Sequence, residues 1–243
     1  MTELRHFEVA GRQIAYRLRP GSAPALVFLP GYASDMEGAK ALALDAWAGE
    51  RGLAMLRFDY SGTGSSGGRF ADGTLALWLE EALAALDQLT QGPLVVIGSS
   101  MGGWIALHLA LLRPDRVRAL VGIAAAPDFT DWGFTAEQAA QLNDGTPLTR
   151  GFWESGQRLL LLDKAIAIDC PVRLLQGERD TEVPLDIAFR TMRALRSADV
   201  QLNVLKGAGH RLSEPREIEA ILRTVAALTE QPTLTEHPPE PAS

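Results

Sequence analysis

The five residues Gly98-Ser99-Ser100-Met101-Gly102 constrain this chain more than any other stretch. They stand between an apolar run, Pro93 to Ile97, that reads as a buried strand, and an apolar run, Trp104 to Leu112, that reads as a helix. A chain that passes from strand to helix in so few residues needs small side chains on both sides of the corner, and Gly98 and Gly102 supply them. Ser100 is then held at the apex, at the C-terminal edge of a sheet, as in a nucleophile elbow.

The pattern recurs, so its context decides. Gly64-Ser65-Ser66-Gly67-Gly68 has the same form, and Gly62 to Gly67 fits the G-x-G-x-x-G of a dinucleotide site. Arg69 to Gly73 follows instead of a helix, which places Ser66 in an open loop and leaves no helix N-terminus to receive a pyrophosphate. Glu80 and Glu81, near the spacing of a ribose acid, fall in mid-helix. Asp59, just before this loop, reads as a structural hydrogen-bond acceptor.

Around the elbow the chain alternates. His6 to Val9 and Gln13 to Leu18 flank Ala10-Gly11-Arg12 as an opening hairpin, and Ala25 to Leu29 is a buried strand ending in Pro30-Gly31. Ser34 and Glu37 have capping-box spacing for a helix that stops at Gly52. Leu53 to Tyr60 is a strand and Thr74 to Thr90 a helix; after the elbow come a strand at Val117 to Ala125, a strand at Val172 to Gln176, a helix at Leu185 to Leu195, a strand at Val200 to Leu205 and a closing helix at Pro215 to Leu228. The alternation predicts an α/β fold with a mostly parallel, eight-stranded sheet flanked by helices. It lapses at about 127–168, where aromatic residues accompany two short helical stretches, at Thr135 to Leu142 and Phe152 to Asp163. That stretch is expected to form a lid on one domain spanning 1–230. Residues 231–243, rich in proline and acid, are expected to be a disordered tail.

A serine hydroxyl needs a histidine to take its proton and a carboxylate to orient that histidine. Of the four histidines, His6 lies in the first strand, His237 in the tail and His108 two turns along the elbow helix. His210 remains, in the loop Lys206-Gly207-Ala208-Gly209 that follows a strand. The acid is expected after a strand between serine and histidine; Asp180 fits, and Asp128, one strand earlier, is its rival. Glu178 and Asp186 read as solvated charges. Backbone N–H groups of Met101 and Tyr32 are the expected donors to an oxyanion. Gly31, Trp104, Phe129 and Trp132 are the expected substrate contacts.

A formal charge of −7 and the absence of a basic block exclude nucleic acid and anionic membranes as main partners, and no run approaches the roughly 20 apolar residues of a span. The N-terminal MTELRHFEVAGRQ has no apolar core, and the single Cys170 rules out an internal disulfide and reads as a small buried apolar group; a cytoplasmic protein is expected. Neither metal nor cofactor is called for.

Phe28 to Met36, Arg57 to Ser66 and Gly98 to Trp104, with Cys170 to Gly177, together resemble the α/β-hydrolase superfamily, and within it the mitochondrial palmitoyl-protein thioesterase and acyl-glucuronide esterase of the α/β-hydrolase-domain proteins. The resemblance implies an α/β-hydrolase fold, a triad on Ser100, Asp180 and His210, and a small-molecule or protein-linked acyl ester or thioester as substrate. Two other readings share these residues: a lyase or peroxidase reaction on the same fold, and a catalytically silent binding protein that uses the lid as its groove.

Overall fold

The computed structural model describes residues 2–229, so the expected tail at 231–243 and His237 lie outside the described residues. Eight strands form one sheet in the order β1-β2-β4-β3-β5-β6-β7-β8. They are β1 (Arg5–Val9), β2 (Arg12–Arg19), β3 (Ser22–Leu29), β4 (Leu53–Phe58), β5 (Leu94–Ser99), β6 (Val117–Ile123), β7 (Val172–Gly177) and β8 (Val200–Leu205). The hairpin β1-β2 and the β2-β4 pair are antiparallel, and every other pairing is parallel. The hairpin turns on Ala10 and Gly11, both at positive φ, as a tight two-residue connection requires.

Side-chain alternation along the strands builds a core on each face. Val27 and Leu29 of β3, Val96 of β5 and Phe58 of β4 pack with α2 (Leu75–Leu89) and α3 (Met101–Leu112), whereas Leu26, Phe28, Val95, Ile97 and Val121 pack with α1 (Ala39–Glu50) and α8 (Pro215–Thr229). Both faces of the central strands are therefore covered, and this is why they read as continuous apolar runs. No helix among the described residues is long and apolar enough to cross a membrane.

Three local expectations are corrected. Helix α1 begins at Ala39 with Gly38 at its N-cap and no side-chain cap. Glu37 is drawn elsewhere: its carboxylate takes hydrogen bonds from Arg17 at 2.6 Å and from the fully buried Arg57 at 2.9 Å, so it does not reach back to Ser34. Pairing to two guanidinium groups outweighs a single capping bond to a backbone N–H. In 127–168, three short helices appear rather than two: α4 (Phe129–Trp132), α5 (Ala136–Gln141) and α6 (Arg150–Gln157). Helix α7 (Leu185–Ala194) then joins β7 to β8. Cys170 is half-buried rather than buried, and burial pushes its thiol up to about 11.

The corner after β5 leaves no room for a side chain at either glycine. A Cβ on Gly102 would lie 2.1 Å from the Leu29 carbonyl oxygen and 2.6 Å from that of Pro30, and one on Gly98 would lie 2.2 Å from the Gly102 carbonyl oxygen. Gly209 has nothing within 4 Å of the same position. Gly102→Ala is expected to cost about 3 kcal/mol, since backbone must move to admit the methyl group. Gly209→Ala is expected to change stability by no more than about 0.5 kcal/mol. Urea midpoints for the two variants check the contrast.

Candidate active site

Ser100 sits at the N-cap of α3 with φ +54° and ψ −120°, a conformation that a residue with a Cβ rarely adopts. Its backbone is held there from three sides: its N–H donates to Ile123 O at 2.9 Å, and its carbonyl accepts from Gly103 N at 2.8 Å and Ala126 N at 3.1 Å. Strain of this kind persists only where the surroundings over-determine it. The result is a hydroxyl that stands clear of the sheet edge.

His210 and Asp180 arrive on the loops after β8 and β7. His210 Nε2 lies 3.1 Å from Ser100 Oγ, and His210 Nδ1 lies 2.9 Å from Asp180 Oδ2. Asp180 is fully shielded, and its other oxygen accepts from Glu182 N at 2.9 Å and Val183 N at 2.8 Å, while Gln176 Nε2 donates to Oδ2 at 2.8 Å. Burial by itself raises the carboxyl's pKa, but the hydrogen bonds from His210, Val183 and Glu182 together with the His210 charge hold it below the ordinary carboxylate range. The His210 loop is fastened to the Asp180 loop by Arg179 N to Ala208 O at 2.9 Å and Gly207 N to Glu178 at 2.8 Å. Glu178, expected to be a free solvated charge, thus also braces the neighbouring loop.

The rival acid has another task. Asp128 lies at positive φ, and its buried carboxylate accepts from Leu161 N and Leu162 N at 2.7 to 3.0 Å, tying the end of the 127–168 stretch to the strand exit. It makes no bond to His210. Ser66 is likewise occupied: its hydroxyl donates to Asp59 O at 2.7 Å and accepts from Ala15 N at 2.8 Å. Asp59 accepts from Met36 N and Ser65 N, and the Gly-rich loop runs into a short 3-10 turn at Phe70–Asp72 instead of a helix. His108 is buried against Leu159 O, and burial lowers its pKa.

The loop after β3 passes close to the serine, with a Cβ on Gly31 falling 3.3 Å from Ser100 Cβ. Among the described residues neither Tyr32 N–H nor Met101 N–H donates to another group, so both are free to serve an oxyanion. Tyr32 is also a wall. Its ring meets Phe70, Phe129 and Phe152 edge-on, and its hydroxyl donates to Pro147 O at 2.6 Å; burial pushes that hydroxyl up to about 12.

Two clefts meet at Ser100. One, of about 270 Å³, is mainly apolar and lies between Tyr32, Met101, Ala126, Phe129, Trp132 and Val183. The other, of about 450 Å³, is edged by Gly31, Ser34, Asp35, Lys40, Arg211 and Ser213. Gly31, Phe129 and Trp132 thus stand where substrate contacts were expected. Trp104 does not: its side chain is fully buried and donates to Leu159 O at 3.2 Å, supporting Phe129 from behind at 5.6 Å between ring centres. Its place on the first turn of the elbow helix faces the core rather than the cleft. Glu182 was missed; it borders both clefts with a carboxylate oxygen 3.7 Å from His210 Nε2. Its place two residues beyond Asp180 in the same loop was the available signal, whereas nothing local in the sequence marks Lys40. Among the described residues no group of three or more His, Cys, Asp or Glu is disposed to hold a metal.

Comparison with known proteins agrees with this architecture. Residues 24–149 match the alpha/beta hydrolase fold family. The chain belongs to the α/β-hydrolase family. It is 33% identical over 235 residues to the bovine (Bos taurus) protein named palmitoyl-protein thioesterase ABHD10, mitochondrial, covering 90% of this chain and 77% of that protein. The solved structure of mouse alpha/beta hydrolase domain-containing protein 10 superposes with a TM-score of 0.88 at 33% identity, over 93% of this chain and 98% of that one. A putative hydrolase from Agrobacterium vitis S4 superposes with a TM-score of 0.85 at 36% identity, over 95% and 99%. The resemblance expected from the short sequence blocks therefore extends along nearly the whole chain.

The lowered Asp180 carboxyl has a measurable consequence. A carboxyl with a folded-state pKa below its unfolded value adds stability above the ordinary carboxylate range, and that stability is lost as pH falls through the folded value. Wild type is expected to be more stable than Asp180→Asn at pH 6, with the gap narrowing once the pH drops below about 4. Thermal melts of both proteins from pH 3 to pH 6 check the sign.

Proposed function

We propose that this α/β-hydrolase cleaves carboxylic esters or thioesters of apolar acyl groups through an acyl-enzyme on Ser100. The observation that carries the reading is the continuous hydrogen-bond chain Ser100–His210–Asp180 at the mouth of the two clefts. In this mechanism Ser100 Oγ attacks the carbonyl carbon while His210 Nε2 takes its proton. Asp180, bonded to Nδ1, keeps Nε2 as the acceptor and stabilises the imidazolium. The negative oxygen of the tetrahedral intermediate receives hydrogen bonds from the N–H groups of Met101 and Tyr32. His210 passes its proton to the leaving alcohol or thiol, then draws one from water as the water oxygen attacks the acyl carbon, and returns it to Ser100 Oγ as the Oγ–C bond breaks and the acid leaves.

Several features support the assignment of roles. The two backbone donors carry no other load, and the hydroxyl of Ser100, bonded to His210, contrasts with that of Ser66, which is committed to backbone groups. The relatives named thioesterase support an acyl substrate, ester or thioester, small or carried on a protein. No step calls for a cofactor, and a reducing, cytoplasmic setting suits the lone thiol of Cys170.

A fluorophosphonate probe followed by peptide mass spectrometry is expected to place a single adduct on Ser100. Ser100→Ala is expected to abolish labelling and to lower kcat/KM toward p-nitrophenyl esters by about 10⁴-fold or more. Asp180→Asn is expected to lose about 10⁴ in kcat, whereas Asp128→Asn keeps labelling at Ser100. An adduct on Ser66, or equal losses from the two aspartate variants, would sink the assignment. Turnover of a short ester panel also separates hydrolysis from lyase, peroxidase or pure binding readings, since none of those predicts a general ester rate.

A further inference from the structure

The apolar cleft beside Ser100 is small, and its inner walls are fixed. Its volume is about 270 Å³, and it opens to solvent past Gly133 and Phe134. A methylene takes up about the space of one water, ~30 Å³, so the cleft, which begins at Ser100, accommodates an acyl group of roughly nine carbons with its carbonyl included, against the ~480 Å³ that the sixteen carbons of a palmitoyl group would fill.

The inner walls are locked from behind, so that a longer chain would emerge at the open edge rather than go deeper. The Phe129 ring stacks on Phe152 with centres 5.8 Å apart and leans on Trp104, whose indole N–H is held by Leu159 O. The Trp132 indole donates to Pro127 O at 2.7 Å and packs on the buried cluster of Ala126, Val183 and Ile187. Met101, Ala126 and Val183 line the floor and belong to the packed interior, at 1%, 3% and 2% exposure. A close-packed wall of this kind does not retreat to admit extra methylenes. The larger second cleft cannot serve as an extension for a long chain, because Asp35, Lys40 and Arg211 on its lining would be stripped of water by a hydrocarbon.

We propose that this protein selects a medium-length acyl group of about eight or nine carbons, or an aromatic acyl group of the same bulk, seated between Phe129 and Trp132 with the leaving group in the charged cleft. The proposal rests on the hydrolase reading above and names the substrate class of that site. Trp132 sets the upper limit as a specificity-determining residue. Its ring borders the cleft from α4, a single exposed-edge turn, and is held there by one hydrogen bond and one apolar cluster.

The test is a series of straight-chain p-nitrophenyl esters and matched acyl thioesters from two to sixteen carbons, used below their micellar concentrations. In wild type, kcat/KM is expected to rise about fourfold per methylene to about eight carbons and then to level or fall. Trp132→Ala is expected to move the break to longer chains, again by about fourfold per methylene newly accepted, with Trp132→Phe in between. Thermal melts confirm that the variants are folded. A wild-type profile that climbs steadily to sixteen carbons overturns the proposal while leaving the hydrolase reading intact, as does a Trp132→Ala break at the wild-type length. A folded protein that is unlabelled by fluorophosphonate and turns over no ester or thioester of any length would remove both.

Discussion

The site depends on one steric constraint: three backbone segments meet at the end of β5 with no room for a Cβ at Gly98 or Gly102. That contact presses the start of α3 against the carbonyls of Leu29 and Pro30. It forces the intervening residue into the left-handed region, which points its side chain away from both strand and helix. It also brings the loop after β3 alongside the serine, and with it the Tyr32 N–H. A single close approach thus brings the Ser100 hydroxyl and the amides of Met101 and Tyr32 to one corner, and the backbone alone does so.

Much of this was legible in the sequence because it is carried by local chemistry. Strand and helix periods around Ser100, the Gly-rich turn before His210 and the post-strand placement of Asp180 are each readable within a dozen residues, and the structure brings all three side chains together across separations of 30 and 110 positions. The decoy at Gly64 was separable for the same reason. A strand-to-helix corner has to be followed by a helix, and Phe70–Asp72 is only a short 3-10 turn.

What escaped the sequence depends on distant partners. Glu37 looks like a capping residue until Arg57, twenty positions away on β4, takes its carboxylate. Trp104 looks like a pocket residue until α6 and the chain after it supply Leu159 O behind it. Lys40 and Glu182 reach the clefts from α1 and from the loop after β7, and only the folded sheet brings those elements to the same edge. In each case the local sequence places an element close to where it forms, and tertiary contact decides where its end falls or which way the side chain is used.

Tyr32 joins two parts of the molecule through opposite ends of a single residue. Its backbone follows Gly31 in the loop beside Ser100, and its phenol, protonated well beyond neutral pH, donates to the carbonyl of Pro147 in the stretch between β6 and β7. That one residue therefore ties the 127–168 stretch to the loop that runs beside the serine. A change in this stretch that displaces Pro147 pulls on the same loop, so the wall of the apolar cleft and the surroundings of Ser100 are structurally linked.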